Sequence, residues 1–180
     1  ALTTKPAYLS RAAKALKETD PVLRRLIERI GPCGLQCSPQ EVFPSLVASI
    51  TYQQLNGKAA ATIHGRVLDL FPGRMPTPKA FQKVKDAPLR GAGLSANKLL
   101  AMRDLSEKCL NGTVLTRKEF EGMPDQEVID RLVEVRGIGV WTAQMFLMFS
   151  LQRHDVLPTG DLGIRNAIHR AYGLAEAPKP

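Results

Sequence analysis

Between Leu132 and Ala143 the chain reads Leu-Val-Glu-Val-Arg-Gly-Ile-Gly-Val-Trp-Thr-Ala, an apolar helix end that runs through Gly137-Ile138-Gly139 straight into a second apolar helix. Two glycines separated by one apolar residue let the backbone turn sharply and come close to a ligand, and they aim the N–H groups of the next helix outward. A helix start of this kind is an anion site. Two consecutive helices must therefore meet at a short, tightly turned joint. Asp161 follows twenty residues after Trp141, in the segment Leu157-Pro-Thr-Gly-Asp-Leu-Gly-Ile-Arg165.

Elsewhere strand signals are scarce and helix-period signals frequent, so the expected fold is all-α with short connections. Residues 7–18 and 20–30 read as amphipathic helices, the second opened by the N-cap Asp20 and by Pro21 at its first position. Gly31-Pro-Cys-Gly34 breaks the chain, and Ser38-Pro-Gln-Glu41 is a helix-start signature. The helix it opens carries Val42, Leu46 and Ile50 at spacings of four, widened by Phe43 and Val47. Extending that spacing reaches Gln54, so Gln53 and Gln54 are expected on or beside the continuation of a buried face, where their amides need partners or a ligand. Gly57 starts a helix with Ala59, Ala60, Ile63, Val67 and Leu70 on one face. Met123-Pro-Asp-Gln-Glu127 opens the helix that ends at the glycine turn. The helix beyond the turn is apolar on nearly every side, which predicts a place at the centre of the fold.

The 180 residues, 44% of them hydrophobic, suffice for one compact domain or two small lobes sharing a cleft. No apolar run is long enough to span a bilayer and no signal-peptide core is seen, so a soluble, intracellular protein without membrane association is expected. Three cysteines, Cys33, Cys37 and Cys109, form no ligand-like cluster, and neither zinc nor a disulfide is expected. The net charge of +8 is uneven: residues 1–30 hold seven Lys/Arg against three acids and residues 57–108 ten against four, while residues 109–136 hold four against six. Clustered positive charge suits a polyanion, because neutralising phosphates releases condensed counterions. A solvated basic surface would look the same.

The Gly-Ile-Gly turn, the Trp141-Thr142-Ala143 continuation and the later Leu-Pro-x-x-Asp together resemble the helix-hairpin-helix DNA glycosylase superfamily, and within it the 3-methyladenine DNA glycosylase II branch. The resemblance runs from about Val42 to Tyr172. It implies a single glycosylase domain over 1–180 built as two helical lobes flanking a DNA-binding and active-site cleft, lobe one from about 1–38 plus the C-terminal end and lobe two from about 39–160. It also implies that Gln53 and Gln54 reach the DNA minor groove, that Ser95 and Lys98 in Gly91-Ala-Gly-Leu-Ser-Ala-Asn-Lys98 sit near phosphates, and that Trp141 lines the base pocket. A plain N-cap with a solvated lysine is the other reading of Ser95 and Lys98. Amides of Gly137, Ile138 and Gly139, with Thr142 beside them, would hold a backbone phosphate. A structural Na+ or K+ on the carbonyls of Val133, Val135 and Gly137 would bridge to it. No other cofactor is expected; relatives with an iron–sulfur cluster carry four closely spaced cysteines near the C-terminus, which this chain lacks. Family members usually continue past the position of Tyr172 with an aromatic-rich segment; the sequence given stops at Pro180, so either that segment is missing from it or this is a minimal member, and only in the second case would lobe one be under-packed.

The chemistry such a site must perform is cleavage of a C1′–N bond through an oxocarbenium-like transition state, which a nearby carboxylate stabilises. Asp161 is the candidate, although an aspartate just ahead of an apparent helix, Leu162 to Tyr172, is also a common N-cap. A purine alkylated at N3 or N7 already carries positive charge and leaves readily, so one carboxylate suffices. The same cationic base stacks favourably on the sole tryptophan, Trp141, with Met145 and Tyr52 expected as further walls. Superfamily members that also nick the backbone place a lysine where Trp141 stands, so a monofunctional enzyme is expected. The target base must be flipped out and its gap filled, and Leu55 and Asn56 are the candidates for that wedge. The expected function is therefore excision of alkylated purines from damaged double-stranded DNA by a monomer, in the bacterial nucleoid or a nucleus. The alternatives are a glycosylase for deaminated or mismatched bases and a catalytically silent module that binds damaged DNA.

Overall fold

The structure is a computed structural model, which describes residues 8–35 and 40–180. The described residues form helices and no strands: α1 (Tyr8–Thr19), α2 (Pro21–Ile30), α3 (Val42–Tyr52), α4 (Gly57–Leu68), α5 (Pro78–Lys83), α6 (Asp86–Gly91), α7 (Ala96–Leu110), α8 (Arg117–Glu121), α9 (Asp125–Val133), α10 (Val140–Phe149) and α11 (Leu162–Tyr172). They divide into two compact units, one of residues 40–154 and one of residues 155–180 with the described part of 1–39. No helix among them is long and apolar enough to cross a membrane.

In the larger unit, α3 and α7 form the centre. The stripe read from the sequence is buried throughout, with Leu46, Val47 and Ile50 wholly inaccessible and Val42 and Phe43 nearly so. It packs on α4, α7 and α10, where Leu99, Met102, Leu105, Phe146 and Leu147 complete the core. Burying side chains of this size stabilises by about 1.5–3 kcal/mol each. Ser38 and Pro39, read as the start of α3, lie outside the described residues; Glu41 occupies the N-cap position and its side chain makes no capping bond.

Partly buried cations secure the loops of this unit. Arg103 donates to the carbonyls of Phe81 and Val84, pairs with Asp86 at 2.7 Å and lies over the Phe81 ring. Arg153 donates to the carbonyls of Phe120, Glu121 and Met123 at 2.8–3.1 Å and pairs with Asp125. A guanidinium presents several donors in a fixed fork, which suits it to gather several loop carbonyls at once.

The thiol of Cys109 is pushed up to about 12 by burial, so little thiolate forms at ordinary pH. Iodoacetamide at pH 8 is therefore expected to label the exposed Cys33 and to leave Cys109 unmodified until guanidinium unfolds the chain. Peptide mass spectrometry reads the difference, and equal labelling of both in the folded protein would contradict it.

In the smaller unit α1 packs on α2. Asp20 caps α2 by accepting the N–H groups of Val22 and Leu23 at 2.7 and 2.9 Å, and the hydroxyl of Tyr172, at the end of α11, donates to the same carboxylate at 2.6 Å. The Tyr172 bond first, and then the Leu23 amide, hold Asp20 below its usual range. α11 ends at Gly173, whose φ of +63° closes the helix with an N–H bond to the His169 carbonyl, a left-handed position that glycine adopts without a Cβ penalty.

Candidate active site

The glycine turn begins where α9 ends. Gly137 has φ +77°, a region L side chains rarely adopt, and a Cβ added there would sit 3.5 Å from Ala101 of α7. Gly139 has an extended φ of −99° and is the N-cap of α10; the space in front of its Cα is open. The first internal bond of α10 runs from the Ala143 N–H to the Gly139 carbonyl, so the amides of Gly139 and Val140 precede the helical ladder, as at any helix start.

Ile138 departs from the expectation that its amide holds a phosphate. Its N–H donates to the Val135 carbonyl at 3.0 Å and its side chain is buried. It closes the turn and anchors it in the core.

α10 differs from its expected place as well. Thr142, Ala143, Phe146 and Leu147 face the core, but Val140 is 54% exposed, Trp141 50% and Phe149 40%. The helix is therefore buried along one side only. Trp141, Met145 and Phe149, spaced i, i+4, i+8, form the other apolar stripe. This stripe and Ala48, Ser49 and Tyr52 of α3 line an open cavity of about 860 Å3, bordered also by Gln53, Gln54, Gly137 and Thr142. Trp141, Met145 and Tyr52 thus surround one space, while Thr142 is buried at its edge. Next to Tyr52 stands the His64 ring, edge-on at 6.0 Å; burial first, then Arg74, lowers its pKa. Ala48, Ser49 and Phe149 were not singled out in the sequence, although the i+4 steps from Tyr52 back to Ala48 and from Met145 on to Phe149 carry the signal.

The segment after α3 corrects a third expectation. The helix stops at Tyr52, Gln53 turns to φ −54°, ψ 132° as the C-cap, and Gln54 adopts φ +56°. Gln54 is exposed and does not continue the buried face, because the helical spacing ends before it. Gln53 instead donates from Nε2 to the Gly137 carbonyl at 2.9 Å, which joins this loop to the glycine turn. Leu55 is 38% exposed. The Asn56 side chain accepts the Ala59 N–H at 2.9 Å as the N-cap of α4, which makes it a cap and leaves Leu55 as the apolar tip of the loop.

Ser95 and Lys98 also have internal partners. Ser95 caps α7 by accepting the Lys98 N–H at 3.3 Å. The Lys98 ammonium, expected beside a phosphate or in solvent, donates to the carbonyls of Thr51 and Gln53 at 2.7 and 2.8 Å, and its pKa is lowered by burial.

Asp161 belongs to the smaller unit. It is the N-cap of α11, and its Oδ1 accepts the Ile164 N–H at 2.9 Å. A Cβ at Gly163 would come within 3.0 Å of that oxygen, so glycine there gives the carboxylate room.

A tight turn between two helices, with the open start of α10 beside a half-exposed tryptophan and an apolar cavity, is thus the main feature of the larger unit, and the described residues are all-helical. The pattern of HhH-GPD superfamily base excision DNA repair proteins matches residues 47–180. DNA-3-methyladenine glycosylase 1 of Schizosaccharomyces pombe is 32% identical over 173 residues, covering 94% of this chain and 76% of that protein. Among solved structures, a Schizosaccharomyces pombe 3-methyladenine DNA glycosylase in complex with abasic DNA superposes with a TM-score of 0.82 at 31% identity, over 94% of this chain and 84% of that one. A DNA-3-methyladenine glycosidase from Bacillus halodurans superposes with a TM-score of 0.80 at 39% identity, over 96% and 76%. The chain belongs to the HhH-GPD superfamily of base excision DNA repair proteins.

Proposed function

We propose that the protein is a monofunctional DNA glycosylase that flips alkylated purines out of duplex DNA and hydrolyses their glycosidic bond. The observation that carries this reading is the half-exposed Trp141 facing a cavity of about 860 Å3 beside the glycine turn. An indole held open to solvent forgoes burial, and its electron-rich face suits a flat cation such as a purine methylated at N3 or N7. The likeness to enzymes named for 3-methyladenine supports the same substrate class.

In this reading the amides at the start of α10 hold a phosphate, the loop 53–56 enters the gap with Leu55 at its tip, and the base stacks on Trp141 between Tyr52 and Met145. The Asp161 carboxylate stabilises positive charge developing on the sugar and orients the attacking water. The donor set of the turn also fits a hard monovalent cation. Val135 and Gly137 each offer a carbonyl that accepts one hydrogen bond, from Ile138 and from Gln53 respectively, and a carbonyl oxygen has a second lone pair. Together with the Val133 carbonyl they would hold Na+ or K+, which would lend positive charge next to the phosphate.

No residue lining the cavity carries an amine, and the Lys98 ammonium is held by carbonyls; a Schiff base with C1′ has no nucleophile there. The test is release of 3-methyladenine and 7-methylguanine from methylated duplex DNA, with borohydride added in parallel. Free base and an intact abasic strand, without a trapped protein–DNA adduct, are expected. A trapped adduct would overturn the monofunctional mechanism. Release confined to deaminated or mismatched bases would move the enzyme to another lesion class. The capping bond of Asp161 favours a second reading, a silent binder of damaged DNA in which that carboxylate is structural; binding without release by the native chain would establish it.

A further inference from the structure

We infer that α7 is a strut that sets the position of both the 53–56 loop and the glycine turn, with Lys98 and Asp104 as its two positioning residues. Lys98, Ala101 and Asp104 recur every three residues and so share one face of the helix. At one end the Lys98 ammonium gathers the carbonyls of Thr51 and Gln53, the place where α3 ends and its last carbonyls lack helical partners. At the other end the Asp104 carboxylate accepts the backbone N–H of Arg136 at 2.7 Å and lies 3.5 Å from Lys108. Between them the Ala101 methyl faces Gly137 at a distance that would give an added Cβ ordinary contact, 3.5 Å. The Gln53 side chain, donating to the Gly137 carbonyl, closes the circuit from loop to turn.

The chemistry of the two ends is complementary. A helix C-terminus offers carbonyls and takes a cation, whereas a turn offers an amide and takes a carboxylate. Each contact is charge-assisted and lies within the unit of residues 40–154. Gln54 holds φ +56° directly beyond the Lys98 contact, a conformation that persists in a non-glycine residue when its surroundings fix it. The Lys98 ammonium on the preceding carbonyl is one such restraint. The functional consequence rests on the proposed glycosylase reading: a wedge at Leu55 and a phosphate anchor at the turn must keep a fixed spacing for one lesion to meet both.

Hydrogen exchange of the free protein tests the strut without reference to activity, through peptides covering 51–57 and 134–141. Lys98→Met is expected to speed exchange in 51–57 by at least about 10-fold, with a smaller rise in 134–141 through the Gln53 bond. Asp104→Ala is expected to speed 134–141 and spare 51–57, and Lys98→Arg to restore most of the native protection. Should Lys98→Met fail to fold, Lys98→Gln, which keeps a neutral amide donor group but loses the charge, provides the same comparison. Unchanged exchange in both segments overturns the inference.

DNA supplies a second readout. The logarithm of affinity against the logarithm of salt concentration is expected to keep its native slope in Lys98→Met; a fall of about 0.9 would mark Lys98 as a phosphate contact and overturn its role here. With 2-aminopurine beside an abasic analogue, Lys98→Met is expected to bind the duplex but lose the fluorescence rise that reports unstacking. Altered exchange in a chain whose native form neither unstacks DNA nor releases base would leave the strut standing and remove the glycosylase reading.

Discussion

Asp161→Asn is expected to lower single-turnover release of 3-methyladenine from duplex DNA on the order of 1000-fold, with no comparable loss of folding. The two effects separate because of what Asp161 does locally. Its Oδ1 accepts the Ile164 N–H, and asparagine caps a helix about as well as aspartate. The substitution therefore keeps the cap and removes the charge. An oxocarbenium-like transition state draws its stabilisation from a full negative charge close to the sugar, which a neutral amide does not supply. Asp161→Ala removes both, and its lost cap costs about 1 kcal/mol of stability, a fall in Tm of roughly 2–4 °C for a chain of this size. Release rates measured beside thermal melting for the three proteins assign the residue: an asparagine variant within about threefold of the native rate would make Asp161 a cap and nothing more.

Much of the chemistry between near neighbours was legible in the sequence, although Asn56, expected as a wedge, caps α4 through Ala59 and the Ile138 amide closes its own turn. Asp20, Ser95 and Asp161 cap the helices they precede, and α11 spans Leu162–Tyr172 as its capping aspartate and terminal glycine indicate. The α3 stripe is buried as its spacing demands. What escaped were features set by partners far along the chain. The count of basic residues in 57–108 suggested a phosphate-binding surface, yet Lys98 and Arg103 point inward at carbonyls, and composition cannot tell an inward donor from an outward one. Asp104 carries no local signal because its partner, the Arg136 amide, lies 32 residues away. Gln54 was misplaced for a different reason: hydrophobic spacing indicates where a helix would point if it continued, whereas the chain turns at Gln53 under the pull of Lys98 and Gly137. The apolar surround of α10 similarly concealed its two sides, one facing core and one facing the cavity.

That exposed side yields the other large effect. Trp141→Ala is expected to reduce release of cationic purines on the order of 100- to 1000-fold while shifting the melting temperature little. Stacking of a base on an aromatic side chain is worth about 1–3 kcal/mol, and a cation over a desolvated indole adds about 2 kcal/mol. The lower part of their combined range, about 3–4 kcal/mol, corresponds to that rate change, since each 1.36 kcal/mol is about tenfold. Folding is spared because the indole is 50% exposed and the α10 residues in the core are Ala143, Phe146 and Leu147. Trp141→Phe separates the two contributions. A smaller ring with a weaker quadrupole retains some stacking but attracts cations less, so 3-methyladenine release should fall further than release of a neutral base such as hypoxanthine. Equal losses for both would mean that the pocket recognises shape without charge, and the substrate class would then extend beyond alkylated purines. Native rates in Trp141→Ala would exclude the α10 cavity as the base pocket.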